Sequence, residues 1–580
     1  MKQFFKFFLA AFAALILFCL IGFFVVVGIA VGGSNGKKSV GSQSVLHINT
    51  ANVYGEQSSE NPLAMLQGGE AMITGVHDAI RAIEHAKEDN KIKGIYLKMG
   101  VASNGWATLT ELREALKDFK KTDKFIYAYG EVSNQKSYYL ASVADSIFLN
   151  PHGGMEFKGL TIVGNFFKGT LDKLGVKTEA FHCGKFKGAH EPFSRKDFSG
   201  PNEFQLKEML TDIDSLFMIA VSEKTGKSIT ELKQIANTLD LKFPADAKRL
   251  GFVDGLVYAD SVRSLLRNRT GLDEDKEIKF VGIGDYLPSV KKKKGKKKIA
   301  VLYANGAIVD GSEGQGVASA TFTKSVRKIA KDDDIKGLVL RVNSPGGSAL
   351  ASEIIYRELQ IVGKRIPIYV SMGNVAASGG YYLSCAADTI FADANTITGS
   401  IGVVGMMFNI GDFMRNKVGV TFDAVKTGEF SDFPNTYRDM TSQERAFIQS
   451  YLDSVYVTFK SRVAEARGMS MEEVEQLAQG HVYSGVAAKE LKLVDCIGSQ
   501  KDALSAMSKR LKLEEYGIVE YPSPKDPITE LISQATGGDR EVAIAKKYLG
   551  KDYKLLQELK QLRQQQNKIL ARMPYIFEIK

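Results

Sequence analysis

Four cysteines, Cys19, Cys183, Cys385 and Cys496, are all that the 580 residues contain, and none falls at CxxC or zinc-ligand spacing. A disulfide framework or zinc cluster is therefore not the basis of the fold. The seven histidines include no HExxH pair, so hydrolysis by a metal-bound water has no sequence support and neither metal nor cofactor is expected. A net charge of +10 could suggest a polyanionic partner, but seven lysines lie in one block, Lys291 to Lys294 and Lys296 to Lys298. Without that block the chain is nearly balanced. The block reads first as a solvated linker and next as a contact for anionic lipid. It has no aromatic stacking platform beside it, so nucleic acid is not an expected partner.

What the chain does have is a long uncharged run and an internal repeat. No charge occurs from Phe7 to Val31, with Lys2 and Lys6 before it and Lys37 and Lys38 after. The run is long enough to span a bilayer and longer than the apolar part of a signal peptide, so residues 1–40 read as an uncleaved anchor in preference to a removed signal. Lysines flank both ends, and the amino-terminal charge tips the orientation toward a cytoplasmic N-terminus with the body outside.

Ile92-Lys93-Gly94-Ile95-Tyr96-Leu97 recurs as Ile335-Lys336-Gly337-Leu338-Val339-Leu340, and Tyr138-Tyr139-Leu140 recurs as Tyr381-Tyr382-Leu383, both at an offset of 243. Phe252-Val253-Asp254 returns as Leu493-Val494-Asp495 at an offset of 241. The repeat divides the chain into a first module at 41–290, the basic linker at 291–298, and a second module at 299–515. Short apolar runs alternate with amphipathic stretches in each, the pattern of parallel strands joined by crossover helices, so the fold class is α/β. The second copy should run strand Gly337 to Val342, helix Ala349 to Val362, strand Pro367 to Met372 and helix Gly379 to Ala387. Long helices are expected around Phe204 to Glu223 and Ser442 to Arg467. The remaining 516–580 form a tail, helical by its spacing from Tyr553 to Arg572, which reads as a packing or oligomerisation helix.

Chemistry concentrates where the copies differ. Ser344-Pro345-Gly346-Gly347 follows directly on a strand, and two glycines let bare backbone N–H groups face a ligand, as an oxyanion hole requires. An ordinary strand-to-helix turn would look similar. Ser378, in Ala376-Ala377-Ser378-Gly379-Gly380, again lies between a strand and a helix. Its hydroxyl can serve as a nucleophile with Gly379 as a further N–H donor, or as a plain helix cap. The first copy has Gln135 opposite Ser378 and Asn104-Gly105-Trp106 opposite the Pro-Gly-Gly turn. A serine nucleophile needs a base, and no histidine precedes His481 in the second module. Lysine serves when burial strips its proton. Lys187, in Gly184-Lys185-Phe186-Lys187-Gly188-Ala189, has Ser431 as its counterpart, so nucleophile and base stand in opposite copies. Lys185 is the alternative.

Ser-Pro-Gly-Gly, Ala-Ala-Ser-Gly-Gly-Tyr, Thr-Gly-Ser-Ile-Gly and Phe-Lys-Gly-Ala-x-Glu-Pro-Phe together resemble the S49 family of membrane-anchored serine proteases in its long, duplicated form, over residues 1 to 510. The resemblance implies two tandem modules of the Clp protease and crotonase type, a spiral of ββα units in each. It implies Ser378 as nucleophile, Lys187 as general base and Ser400 as the serine that orients the lysine, with Gly346, Gly347 and Gly379 around the oxyanion. It also implies a homotetrameric dome on a bacterial inner membrane with a periplasmic body, a lipid-bilayer partner, and hydrophobic peptides, cleaved signal peptides among them, as substrates. Gly188 and His190 depart from the family pattern beside the base. Two other readings stay open on the residues alone, a crotonase-like acyl-CoA enzyme and an inert membrane scaffold.

Overall fold

The computed structural model describes residues 3–4, 6–9, 12–18, 40–60, 72–273, 275–291, 294–312, 316–523, 569–573 and 579. Most of the anchor run, and most of the tail, lie outside the described residues. Residues 6–9 and 12–18 are helical, and among the described residues no helix is long and apolar enough to cross a membrane.

Each module is built on a parallel sheet, and the two sheets share one strand order. In the first it runs Gly255–Leu256, Ser146–Met155, Phe125–Ser133, Ile92–Met99, Ser44–Asn49, Phe280–Gly282. In the second the equivalent path is Cys496–Ile497, Thr389–Ala392, Ile368–Ala377, Ile335–Ser344, Lys298–Asn305, Gly517–Tyr521. Helices cover both faces, so central strands such as Lys298–Asn305 are apolar along almost their whole length rather than alternating. The expected α/β repeat is present at the level of topology. The strand Gly517–Tyr521 pairs in parallel with Lys298–Asn305, so the second sheet extends past residue 515, and Lys298 at the end of the basic block already belongs to a strand.

The long helices form where their caps dictate. Ser199 accepts from the Asn202 N–H to open Gly200–Thr225, and Gly226 closes it at φ 70°. Thr441 and Glu444 cap each other's backbone at the start of Ser442–Arg467, which ends at Gly468 with φ 62°.

A third sheet joins the modules. Its order is Val317–Ala318, Ile308–Val309, Gly346–Ser348, Ile569–Arg572, Val403–Asn409, Lys177–Cys183. The last strand comes from the first module and pairs antiparallel with Val403–Asn409 from Val403↔Cys183 to Asn409↔Lys177. This arrangement differs from the sequence reading in two places. Gly346–Ser348 is a short strand and not merely a turn, and residues 569–572, assigned to a helical tail, are extended.

A buried ion cluster also ties the modules. Arg341 of the second donates to Glu56 Oε2 at 2.6 Å and to Glu111 Oε1 at 2.8 Å, both in the first. Nearby, the Asn374 amide donates to Thr108 Oγ1 at 2.8 Å and its carbonyl accepts from the Thr108 N–H at 3.1 Å. A Cβ at Gly105 would collide with the Asn374 side chain. The first copy's version of the glycine turn thus docks the modules together instead of lining a site.

Candidate active site

Lys187, Ser378 and Ser400 meet in the interior. Lys187 Nζ is hydrogen-bonded to Ser378 Oγ at 2.7 Å, to the Ser400 carbonyl at 2.8 Å and to Ser400 Oγ at 2.9 Å. Lys187 is 1% exposed, and both serines are fully buried. Burial holds Lys187 well below the ordinary lysine range. The neutral amine has a lone pair to offer and sits against a hydroxyl. That is the combination needed to make serine nucleophilic.

Local backbone fixes each partner. Ser378 immediately precedes the helix Gly379–Ser384 but makes no side-chain cap, and its backbone is held at φ 54°, ψ −114°. In the first copy the cap of the helix Gln135–Ala141 is Asn134, the counterpart of Ala377 in the repeat, at a relaxed φ −93°, with its side chain accepting from the Ser137 N–H. One copy's helix is capped by a side chain and the other's is not. Ser400 is likewise at φ 53°. Left-handed backbone at a residue with a Cβ costs on the order of 1–3 kcal/mol and persists where surroundings over-determine it. Here they do: the Ser378 N–H donates to the Gly399 carbonyl at 2.8 Å, and the Ser400 N–H to the His481 carbonyl at 2.6 Å.

The lysine is carried on a loop clamped by the second module. The Phe186 N–H donates to the Gln479 carbonyl at 2.9 Å. Gly480, at φ +79°, must lack a side chain because a Cβ there would lie 2.7 Å from the Lys187 backbone. Gln205 bridges the modules, donating to the Phe186 carbonyl at 2.8 Å and accepting from the Val482 N–H at 3.0 Å. Asn202 orients Gln205 and donates to Glu191, which gives the glutamate of the Glu-Pro-Phe motif a positioning task. The sequence does not single out Gln205, Asn202 or Gly480; Gln205 and Gly480 meet Val482 and Lys187 across the module boundary, and only the glutamate within the motif hints at the network. His481 contributes its carbonyl, while its ring packs between Phe186 and Tyr483. Burial, with the nearby Lys185 charge, pushes that ring down to about 4. Lys185 itself is exposed. Lys185→Ala is accordingly expected to leave peptide hydrolysis within about twofold of wild type, as exposed substitutions generally perturb little; a loss comparable with that of Lys187→Ala would move the base.

Gly346 and Gly379 converge beside Ser378. A Cβ on Gly379 would lie 3.1 Å from the Gly346 Cα, and one on Gly346 would lie 2.6 Å from the Gly379 nitrogen. Gly346, at φ +92°, donates its own N–H to Ser344 Oγ at 3.2 Å. Of the three glycines named from the sequence, Gly346 therefore contributes open space, and Gly347 and Gly379 remain as the donors. Among the described residues no cluster suited to a metal ion occurs.

Known proteins share this layout. Peptidase family S49 matches residues 118–273 and 360–514, one block in each module, and the Clp protease family matches 291–396. Protease 4 of Haemophilus influenzae is 34% identical over 507 residues, 83% of this chain and 82% of its own length. Protease 4 of Salmonella typhi is 31% identical over 546 residues, 89% and 87% of the two chains. A chloroplastic serine protease of Arabidopsis thaliana, SPPA, is 29% identical over 462 residues, 77% and 68%. The lysine falls inside the first matched block and both serines inside the second, so the family's two halves meet where the modules do: this chain belongs to peptidase family S49 and is a serine protease.

Proposed function

We infer that the protease works through a dyad of Ser378 and Lys187 and acts on hydrophobic peptides, cleaved signal peptides among them, while anchored in a bacterial inner membrane by residues 1–40. The observation that carries the dyad is the 2.7 Å hydrogen bond between a desolvated Lys187 and Ser378 Oγ. Neutral Lys187 takes the Ser378 proton as Oγ attacks the peptide carbonyl carbon, and the N–H groups of Gly347 and Gly379 receive the developing oxyanion. The lysine then passes its proton to the leaving amine as the C–N bond breaks. Water, deprotonated by the same lysine, hydrolyses the acyl ester and restores Ser378.

Ser400 is a positioning residue in this scheme, because it holds Nζ by two oxygens without touching the reacting carbonyl. Ser400→Ala should lower kcat roughly 10- to 100-fold, the worth of one hydrogen bond to a charge-developing group, and should displace the pH–rate midpoint. An unchanged pH profile would assign Ser400 a packing role only. The uncharged run Phe7 to Val31 supports the anchor, and the homotetramer and periplasmic body follow the family resemblance. Belonging to a serine protease family leaves the acyl-CoA and scaffold readings without support.

The test is hydrolysis of a fluorogenic hydrophobic peptide by the detergent-solubilised chain, with intact mass after treatment with a serine-acylating agent. Cleavage by wild type, none by Ser378→Ala or Lys187→Ala, and an adduct on Ser378 are expected. An adduct elsewhere would reject the dyad, and solubility without detergent would reject the anchor.

A further inference from the structure

The strand Ile569–Arg572 lies directly against the site. It pairs antiparallel with Gly346–Ser348, in the register Gly346↔Arg572, Gly347↔Ala571 and Ser348↔Leu570. Its other edge pairs antiparallel with Val403–Asn409 through Val404↔Leu570 and Gly405↔Ile569. A short extended segment held on both edges is bound as a peptide is bound when it adds to open strands, with main-chain hydrogen bonds supplying the grip.

The register places one residue at the reactive position. The Met573 N–H donates to the Pro345 carbonyl at 2.7 Å. Hydrogen-bonded pairs alternate along an antiparallel ladder, so Gly347 and Ala571 form the next one. The Ala571 carbonyl oxygen points into the space left by the missing side chains: a Cβ on Gly379 would lie 3.0 Å from it, and a Cβ on Gly346 would strike it. An Ala571 carbonyl among Gly346, Gly347 and Gly379 occupies the place the substrate's reacting carbonyl needs. In keeping with this, Ser378 has no solvent exposure and Gly346 and Gly347 are buried.

Resting on the assignment of Ser378 as nucleophile, we propose that Ile569–Arg572 is an internal pseudosubstrate that occludes the catalytic groove, with Ala571 in the acyl position. The strand is held on both sides of the Ala571–Arg572 bond. Leu570 and Ala571 are 8% and 1% exposed, and beyond the bond Met573 and Ile579, at 2% and 5%, pack with the first module's core. An amine so tethered stays beside any ester it leaves, and re-forming the bond competes with hydrolysis. The segment therefore persists as a competitor instead of being consumed.

The experiment compares acylation of Ser378 by a fluorophosphonate in three detergent-solubilised proteins: wild type, full-length Ala571→Pro, and a chain ending at Lys568. Proline at 571 removes the N–H that the ladder uses while leaving every residue outside the strand in place. Both variants should label at least about tenfold faster than wild type, as expected when the open state was a minor fraction. A synthetic peptide of residues 569–580 should slow the truncated chain again. Should truncation prevent folding, Ala571→Pro decides. Equal labelling of Ser378 in wild type and Ala571→Pro overturns the pseudosubstrate alone. Label on another residue overturns the nucleophile as well. Wild type whose mass shows Arg572–Lys580 lost during the assay would make the strand a substrate, which also overturns the proposal.

Discussion

Lys187→Met is expected to abolish peptide hydrolysis and yet make the folded protein more stable at neutral pH. The loss of activity, at least about a thousandfold, follows from removing the one group that, among the described residues, is bonded to Ser378 Oγ and can take a proton. The gain in stability follows from linkage. Burial holds Lys187 well below the ordinary lysine range, so between the folded value and the unfolded value near 10.4 the unfolded chain binds a proton that the folded chain does not. Unfolding is then favoured as pH falls, by about 1.4 kcal/mol for each pH unit in that window. That cost to the fold grows as pH falls through the window, against about 1 kcal/mol for each hydrogen bond lost with the amine. Denaturant titrations should show Lys187→Met more stable than wild type at pH 7 and less stable at pH 10. Curves that keep one order at both pH values would mean that the lysine is not buried neutral. The same proton governs the rate: in wild type kcat should rise with pH to a plateau reached below the ordinary lysine range.

Arg341→Met should do the opposite, leaving the dyad's chemistry intact in principle but unfolding the joint that assembles it. The Arg341 side chain is fully buried between Glu56, 5% exposed, and Glu111, fully buried, and also donates to Ser371 Oγ at 2.9 Å. Removing the cation leaves two carboxylates in the interior, and breaking a buried pair from one side typically costs 3–5 kcal/mol. Burial already pushes Glu111 up against the pull of Arg341, and without the arginine this carboxyl should rise further. The folded variant then binds more protons than the unfolded one, so its deficit should shrink as pH falls and be largest above neutrality. Chemical denaturation of wild type and Arg341→Met at pH 5 and pH 8 measures this. A deficit under about 1 kcal/mol at pH 8 would show that the cluster is dispensable.

Much of this arrangement can be read from the residues because the chain carries its own comparison. The 243-residue offset sets Gln135 against Ser378 and the first copy's turn against Ser344-Pro345-Gly346-Gly347, and the apolar runs of Ile335–Ser344 and Ile368–Ala377 announce buried parallel strands. Lys187, 191 residues from Ser378 in sequence, does reach it. What stayed hidden depends on contacts with no local signature. Ile569–Arg572 follows a Lys- and Gln-rich stretch of helical spacing, and its extended form is set by strand edges at Gly346–Ser348 and Val403–Asn409, not by its own propensity. Gly480 and Gln205 act through Lys187 and Val482, in each case a residue of the other module. The spent N–H of Gly346 could be known only once Ser344 was seen to turn back on it.

The pairing of Lys177–Cys183 with Val403–Asn409 also fixes the stoichiometry of the enzyme. Duplication offers two sockets, but the second is unserviceable. Gln135, where a nucleophile would stand, spends its side chain on the backbone of Lys158 and Gly159. Ser431, where a base would stand, is exposed and bonded to the Gly428 carbonyl. One acyl group per 63.6 kDa chain is therefore the ceiling of any active-site titration, and half of the polypeptide is retained as the permanent partner of the other, a heterodimer that can never dissociate or be diluted apart.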